Sequence, residues 1–242
     1  MLTNLKVDMD ALYLDFRKTG NREPYFKPYF RRMRLLSSLT FAECLENKGR
    51  FIKPLEKTIS DICSERTWVM PCHDLKLDSF YGRTKVIDLG VAHRGSLLVL
   101  AYIQLGPRLS PEIKNLIRQK VKERVTEPFK DMINGKIKSN GWLTCDHNWN
   151  AVCLANVLAA GIGLSETKAE QDFFIDNGCK YIKYYLKGFP ADGYCSEGTN
   201  YWNYGFSNYI YFSEIVSKTT GGKTDPLLWP EGVEVGYTWE VI

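Results

Sequence analysis

The chain is poor in the residues that usually announce a metal or redox centre. It has 3 histidines, at 73, 93 and 147, and no HxxxH or HExxH spacing, so no metal site and no cofactor are expected. Its 7 cysteines are odd in number and form no CxxC pair, which indicates neither a zinc knuckle nor a full disulfide framework. Cys63 and Cys153 fall within helical patterns and read as small core residues. An excess of one charge is lacking too. The 32 basic and 28 acidic residues leave a formal +4 without a dense Lys/Arg block, so nucleic acid is not an expected partner. No apolar run is long enough to span a membrane, and the opening MLTNLKVDMDALYLDFRKTG is too polar for a signal peptide. The chain is therefore expected to be cytoplasmic if complete, or to have its export signal elsewhere.

Aromatic residues, by contrast, are plentiful: 13% of the chain, with 14 Tyr and 6 Trp. Tyr and Trp pair a flat apolar face with a polar handle. They fit core and rim packing, and equally a cleft that stacks sugar rings. Composition leaves both open.

Apolar residues recur with a helical period almost throughout, which predicts helices near 28–47, 51–64, 88–106, 110–134, 147–163, 167–187 and 200–217. Short links at 47–50, 106–110 and 163–166 force antiparallel neighbours. Ser110-Pro111-Glu112 reads as a helix start with Ser at the cap and Pro in the first turn. Ser165 stands before another start, with Glu166 and Glu170 favouring its first turn. Pro128 should kink the helix over 110–134. The segment 147–163 is apolar on nearly every side, as a helix buried on all sides would be, whereas 112–131 and 166–185 carry a charged face. The pattern predicts an all-α fold: an incomplete α/α-toroid of about seven helices in one domain, with an irregular tail over 218–242 and a short extended piece at 233–241.

In such an array, alternate helices start at one rim. An N-terminal turn leaves N–H groups without partners and is partly positive. The start near 147 carries His147, Asn148, Trp149 and Asn150, with Asp146 as the expected cap. The start near 200 carries Tyr201, Trp202 and Tyr204, preceded by Glu197. The start near 88 places His93 and Arg94 in its second turn, and the loop before it holds His73. Taken singly, each has an ordinary explanation: a capping histidine or asparagine, rim tyrosines, a loop turn at His73, a solvated face at His93 and Arg94. Together, imidazoles, amides, phenols, an indole and a guanidinium would suit an acidic saccharide.

The stretches 146-DHNWNAVC-153 and 192-DGYCSEGTNYWNYG-205 resemble the heparinase II/III-like polysaccharide lyases, a family related to alginate lyases and dermatan sulfate epimerases. The segments 68-WVMPCHDLKL-77 and 87-IDLGVAHR-94 fit the same proteins, and the likeness covers about residues 30 to 217. The resemblance implies an α/α-toroid and cleavage of a uronic-acid polysaccharide by β-elimination, in proteins often periplasmic or secreted. His147 and Asn148 would neutralise the uronate carboxylate or take part in proton transfer, and Tyr201 would serve as base and acid. Arg94, His93, Asn150, Trp149, Glu197, Trp202, Tyr204 and His73 would line the substrate site. Relatives carry a further His and Tyr on a β-sandwich part. No such region is legible here, so the chain is expected to be a toroid fragment, a truncated gene product or a protein that has lost half of that site, and activity of the chain as given is left open. Two other functions remain open. One is a non-catalytic glycan-binding domain. The other is an α/α-barrel glycoside hydrolase using Asp192 and Glu197, whose chemistry needs two carboxylates about 6.5–9.5 Å apart.

Overall fold

The computed structural model describes residues 7–139, 141–190 and 193–228. It is all-helical, with no strand among the described residues. The helices are α1 (Met9–Thr19), α2 (Glu23–Glu46), α3 (Ile52–Ser64), α4 (Leu89–Leu105), α5 (Pro111–Val121), α6 (Glu127–Ile133), α7 (Asn148–Leu164), α8 (Lys168–Leu186) and α9 (Thr199–Thr220). Backbone contacts cluster into two compact units, Met1–Pro128 and Phe129–Ile242. The extended piece expected at 233–241 lies outside the described residues.

The N-terminal unit opens with a helix that apolar periodicity alone does not reveal. Asp8 caps α1 by accepting from the Ala11 N–H (3.0 Å), and Gly20 closes it at φ +68. Its face of Met9, Tyr13 and Phe16 is buried, and the first two join Tyr25, Tyr29, Met33, Met70 and Phe80 in one cluster. This cluster also explains why α2 starts before residue 28: Tyr25 and Tyr29 both belong to the core, and Pro24 is tolerated in the first turn.

Contacts fix the directions of these helices. Arg94 of α4 lies over Tyr29 of α2, while Arg108, just past α4, pairs with Glu43 near the end of α2 (2.7 Å). The two helices therefore run parallel. Likewise the Ser110 N–H, at the start of α5, donates to Glu56 of α3 (2.6 Å), and Arg124 beyond α5 donates to the Glu65 carbonyl beyond α3 (2.8 Å). Parallel alternate helices joined by antiparallel returns are the arrangement the hairpin pattern predicts.

The helix expected over 110–134 is not simply kinked at Pro128. A π-turn over Lys122–Thr126 interrupts it, and the Glu127 N–H reaches the Lys122 carbonyl five residues back. Proline lacks the N–H and crowds the turn before it, so the backbone widens just upstream of Pro128.

In the C-terminal unit, α7 packs against both α8 and α9. A Cβ on Gly161 of α7 would run into the Phe174 ring of α8, so glycine allows these helices to approach closely. At the other end of α8, Gly188 abuts the Asp146 carbonyl just before α7, which makes α8 antiparallel to α7. Helix α9 runs parallel to α7. Glu197 meets Asn148 at their starts, and Asn156 donates to the Asn208 side chain (3.1 Å) about two turns further along. As its sequence suggests, α7 is buried on almost every side. Helix α8 buries a single stripe including Phe174, Ile175, Gly178, Ile182 and Tyr185. Its cap is Thr167 rather than Ser165, accepting from the Glu170 N–H (3.2 Å) while Glu170 accepts from the Glu166 N–H (3.0 Å).

Candidate functional site

Within the C-terminal unit, α7 and α9 start side by side, and this is where the residues of greatest chemical interest meet. The cap of α7 is His147, not Asp146: His147 is extended (φ -125, ψ 179), and its side chain makes no capping hydrogen bond. Its Nδ1 is shielded from solvent without a hydrogen-bond partner. A buried polar atom left open has a cost, and it calls for an explanation.

Asn148 follows in the first turn and is only 2% exposed. Its backbone N–H donates to the Glu197 carboxylate (2.9 Å), and its Nδ2 lies 2.8 and 3.0 Å from the two Glu197 oxygens. The helix mouth therefore already holds a carboxylate, supplied by the loop that leads into α9. Gly198, the cap of α9, turns that loop at φ +86, a conformation that favours glycine. The Asn148 Oδ1 is buried and has no partner.

Asn150, expected to touch substrate, is fully buried and clamps the preceding loop instead. Its Nδ2 donates to the carbonyls of Trp142 (3.0 Å) and Leu143 (2.8 Å). An internal amide satisfying two backbone acceptors has no surface to offer a saccharide, so its role is to shape the mouth. Trp149 is half-buried. Tyr201, in the first turn of α9 and four residues beyond Glu197, is 51% exposed. Trp202 stacks on Phe206 (ring centroids 4.8 Å apart), so part of its indole face serves packing. Tyr204 is half-buried. Tyr194, a residue of the 192–205 stretch not marked as a site residue by its sequence, is 62% exposed in the same loop. Asp192, one half of the carboxylate pair for a hydrolase, lies outside the described residues.

The remaining candidates belong to the N-terminal unit, and there Arg94 corrects its sequence-based role. It is 0% exposed, pairs with Glu65 (2.7 Å) and lies over Tyr29 (4.5 Å). Arg32 pairs with the other oxygen of Glu65. A guanidinium enclosed in this way neutralises a buried acid and cannot reach a polymer from solvent.

His73 and His93 flank Asp88, which is itself fully buried. Asp88 caps α4 by accepting from the Val91 N–H (2.8 Å), and its other oxygen accepts from the Met70 N–H (2.9 Å) and faces His73 Nδ1 (2.7 Å). Burial alone would depress the His73 imidazole, but hydrogen bonds to Asp88 and Cys72 and the attraction of both groups together outweigh it and raise the pKa to about 9. For His93 burial prevails over the attraction of Asp88, and its pKa is lowered. Asp88 and Glu65 are the two polar residues here that sequence reasoning missed. The N-cap position before LGVAHR could have revealed Asp88; nothing local marks Glu65.

Among the described residues, no group of three or more His, Cys, Asp or Glu could hold a metal ion, and no helix is long and apolar enough to cross a membrane. Compared with family models and with curated proteins, the chain matches none.

Proposed function

We propose that the chain is a polysaccharide-lyase-like domain that receives the carboxylate of a uronic-acid-containing glycan, of the alginate or glycosaminoglycan kind, at the mouth of α7. One observation supports this above others: the backbone N–H and side-chain amide of Asn148 already converge on a carboxylate, that of Glu197, at 2.8–3.0 Å. Donors arranged for one carboxylate suit another, and the positive end of α7 favours both.

The contact also specifies how the site would have to work. With Nδ2 turned toward Glu197, Asn148 presents only the acceptor Oδ1, which cannot stabilise a second anion. A uronate must therefore take the place of the Glu197 carboxylate and inherit its donors. Once the uronate is seated, Tyr201 in its phenolate form would take the C5 proton and become the phenol. The developing charge spreads into the carboxylate, where one well-placed donor contributes on the order of 3 kcal/mol. The C4–O bond breaks, and the phenol returns the proton to the leaving oxygen. Tyr201 has the exposure this requires, and His147 Nδ1 is an open polar atom at the same helix start.

Incubation with alginate, heparan and chondroitin, followed by ultraviolet absorbance, tests the proposal, because elimination creates an unsaturated uronate. An absorbance rise is expected, abolished in Tyr201→Phe with helicity unchanged. Reducing ends without absorbance would mean hydrolysis, and binding with neither signal would mean a glycan-binding domain. A fully active Tyr201→Phe variant would remove the phenol from the chemistry.

A further inference from the structure

Two buried tyrosines bond their hydroxyls to the protein itself. Tyr13 donates to Asp74 (2.9 Å) and Tyr209 to the Pro226 carbonyl (2.7 Å). Tyr185, in the last turn of α8, departs from them. It is 2% exposed, and its oxygen is shielded from solvent with no hydrogen-bond partner among the described residues. Taking a hydroxyl out of water without a partner is unfavourable, so a phenol kept in this way calls for a reason.

Packing sets where this oxygen lies. The ring meets Phe189 edge to face (centroids 5.0 Å apart) and leans on Tyr209 (6.0 Å). A Cβ on Gly205 would fall 2.6 Å from the hydroxyl oxygen, so glycine in the second turn of α9 leaves room for it. The surroundings are those of the α7 mouth. Gly188, three residues after Tyr185, abuts the Asp146 carbonyl just before the α7 cap. Burial, joined by the Cys195 and Glu197 side chains of the loop before α9, pushes the phenol's pKa up. The hydroxyl therefore keeps its proton and offers a hydrogen-bond donor, in contrast to the base assigned to Tyr201.

The Glu197 carboxylate accepts from the Asn148 N–H and Nδ2 and leaves the Tyr185 hydroxyl unanswered. A carboxylate has about four acceptor sites, so one that enters on a saccharide, free of the loop's tether, has lone pairs left for a further donor. We infer that Tyr185 is a binding residue for the uronate carboxylate: seated in place of Glu197, the saccharide carboxylate accepts from Asn148 and from the Tyr185 hydroxyl together. This rests on the uronate reading of the α7 mouth, and it adds a contact that favours the incoming carboxylate over the resident one.

Calorimetry of the full chain with trigalacturonate tests the assignment. Tyr185→Phe should weaken binding about tenfold, as for the loss of a hydrogen bond to a charged group. Its thermal midpoint should stay level or rise, because the free chain loses no partner of that hydroxyl. The Cζ nuclear magnetic resonance signal of Tyr185 in the unsubstituted chain gives a second readout, and should shift saturably at the concentrations where the saccharide binds. The two ways of failing are distinct. If the unsubstituted chain does not bind trigalacturonate, the uronate reading falls and this inference with it. If it binds, but Tyr185→Phe binds equally well or the Tyr185 signal stays in place, the glycan site stands and Tyr185 is no part of it. A Tyr185→Phe chain that loses binding together with its thermal stability would make the hydroxyl structural and overturn the assignment as well.

Discussion

The two units treat their polar interiors differently. In the N-terminal unit, buried acids face basic side chains: Arg94 and half-buried Arg32 against Glu65, and half-buried His73 against Asp88. In the C-terminal unit, the buried polar groups at the start of α7 are a neutral amide and an imidazole with open atoms, held to one carboxylate from a half-exposed loop. A network of the first kind is costly to disturb and has little to offer a ligand. A contact of the second kind is the one that, under the proposed function, a saccharide carboxylate would take over. The comparison teaches that a histidine or arginine near a helix start is a weak sign of a site, because the same residue types serve here as counter-charges to buried acids.

The contrast can be broken most sharply at Glu65. Glu65→Ala leaves Arg94 buried without its counter-charge and should cost about 3–5 kcal/mol of stability in denaturant unfolding. A loss below 1 kcal/mol would show that the pair is not structural. Asp88→Ala removes the α4 cap, the acceptor for Met70 and the partner of His73, and should cost about 2–3 kcal/mol.

The same region carries a pH signature. His73 is raised from 6.5 to about 9 in the folded chain, so it binds its proton more tightly folded than unfolded. Its contribution is complete below about pH 6.5 and is lost as pH rises through about 9. Unfolding free energy followed from pH 6 to 10 should fall across that window in the native chain and stay flatter in Asp88→Asn.

The smallest expected effect lies in the C-terminal unit and is one of gain. Glu197→Ala vacates the α7 mouth and should tighten oligouronate binding about tenfold, close to 1.4 kcal/mol, as read by calorimetry. Weaker binding would make Glu197 a positioning residue for Asn148 instead of an occupant to be displaced.

Much of the helical framework was legible because burial leaves a period in the sequence. Helix α7 is apolar on all sides and could hardly be anything else, and α8 shows its single stripe plainly. Helix α1 was overlooked because its three buried residues lie among charged ones, although Asp8 and Gly20 mark its ends. The cap of α7 was misplaced by one residue because both Asp146 and His147 have plausible side chains, and only backbone angles choose between them. The site was legible in part. His147, Asn148 and Tyr201 could be proposed from their motifs, but the Glu197–Asn148 contact spans 49 residues and depends on the turn at Gly198. Arg94 was assigned to substrate because a sequence does not show whether a guanidinium is exposed. Its partner Glu65 lies 29 positions earlier, beyond a loop that apolar periodicity cannot trace.

The proposed exchange of carboxylates at the α7 mouth is open to direct observation by nuclear magnetic resonance of the Asn148 backbone and side-chain amides during titration with an oligouronate. Displacement of Glu197 predicts saturable shifts of the Asn148 N–H and Nδ2 signals at the concentrations where the saccharide binds, with the Asn150 amide unmoved. Saccharide binding that leaves both Asn148 signals in place would contradict it.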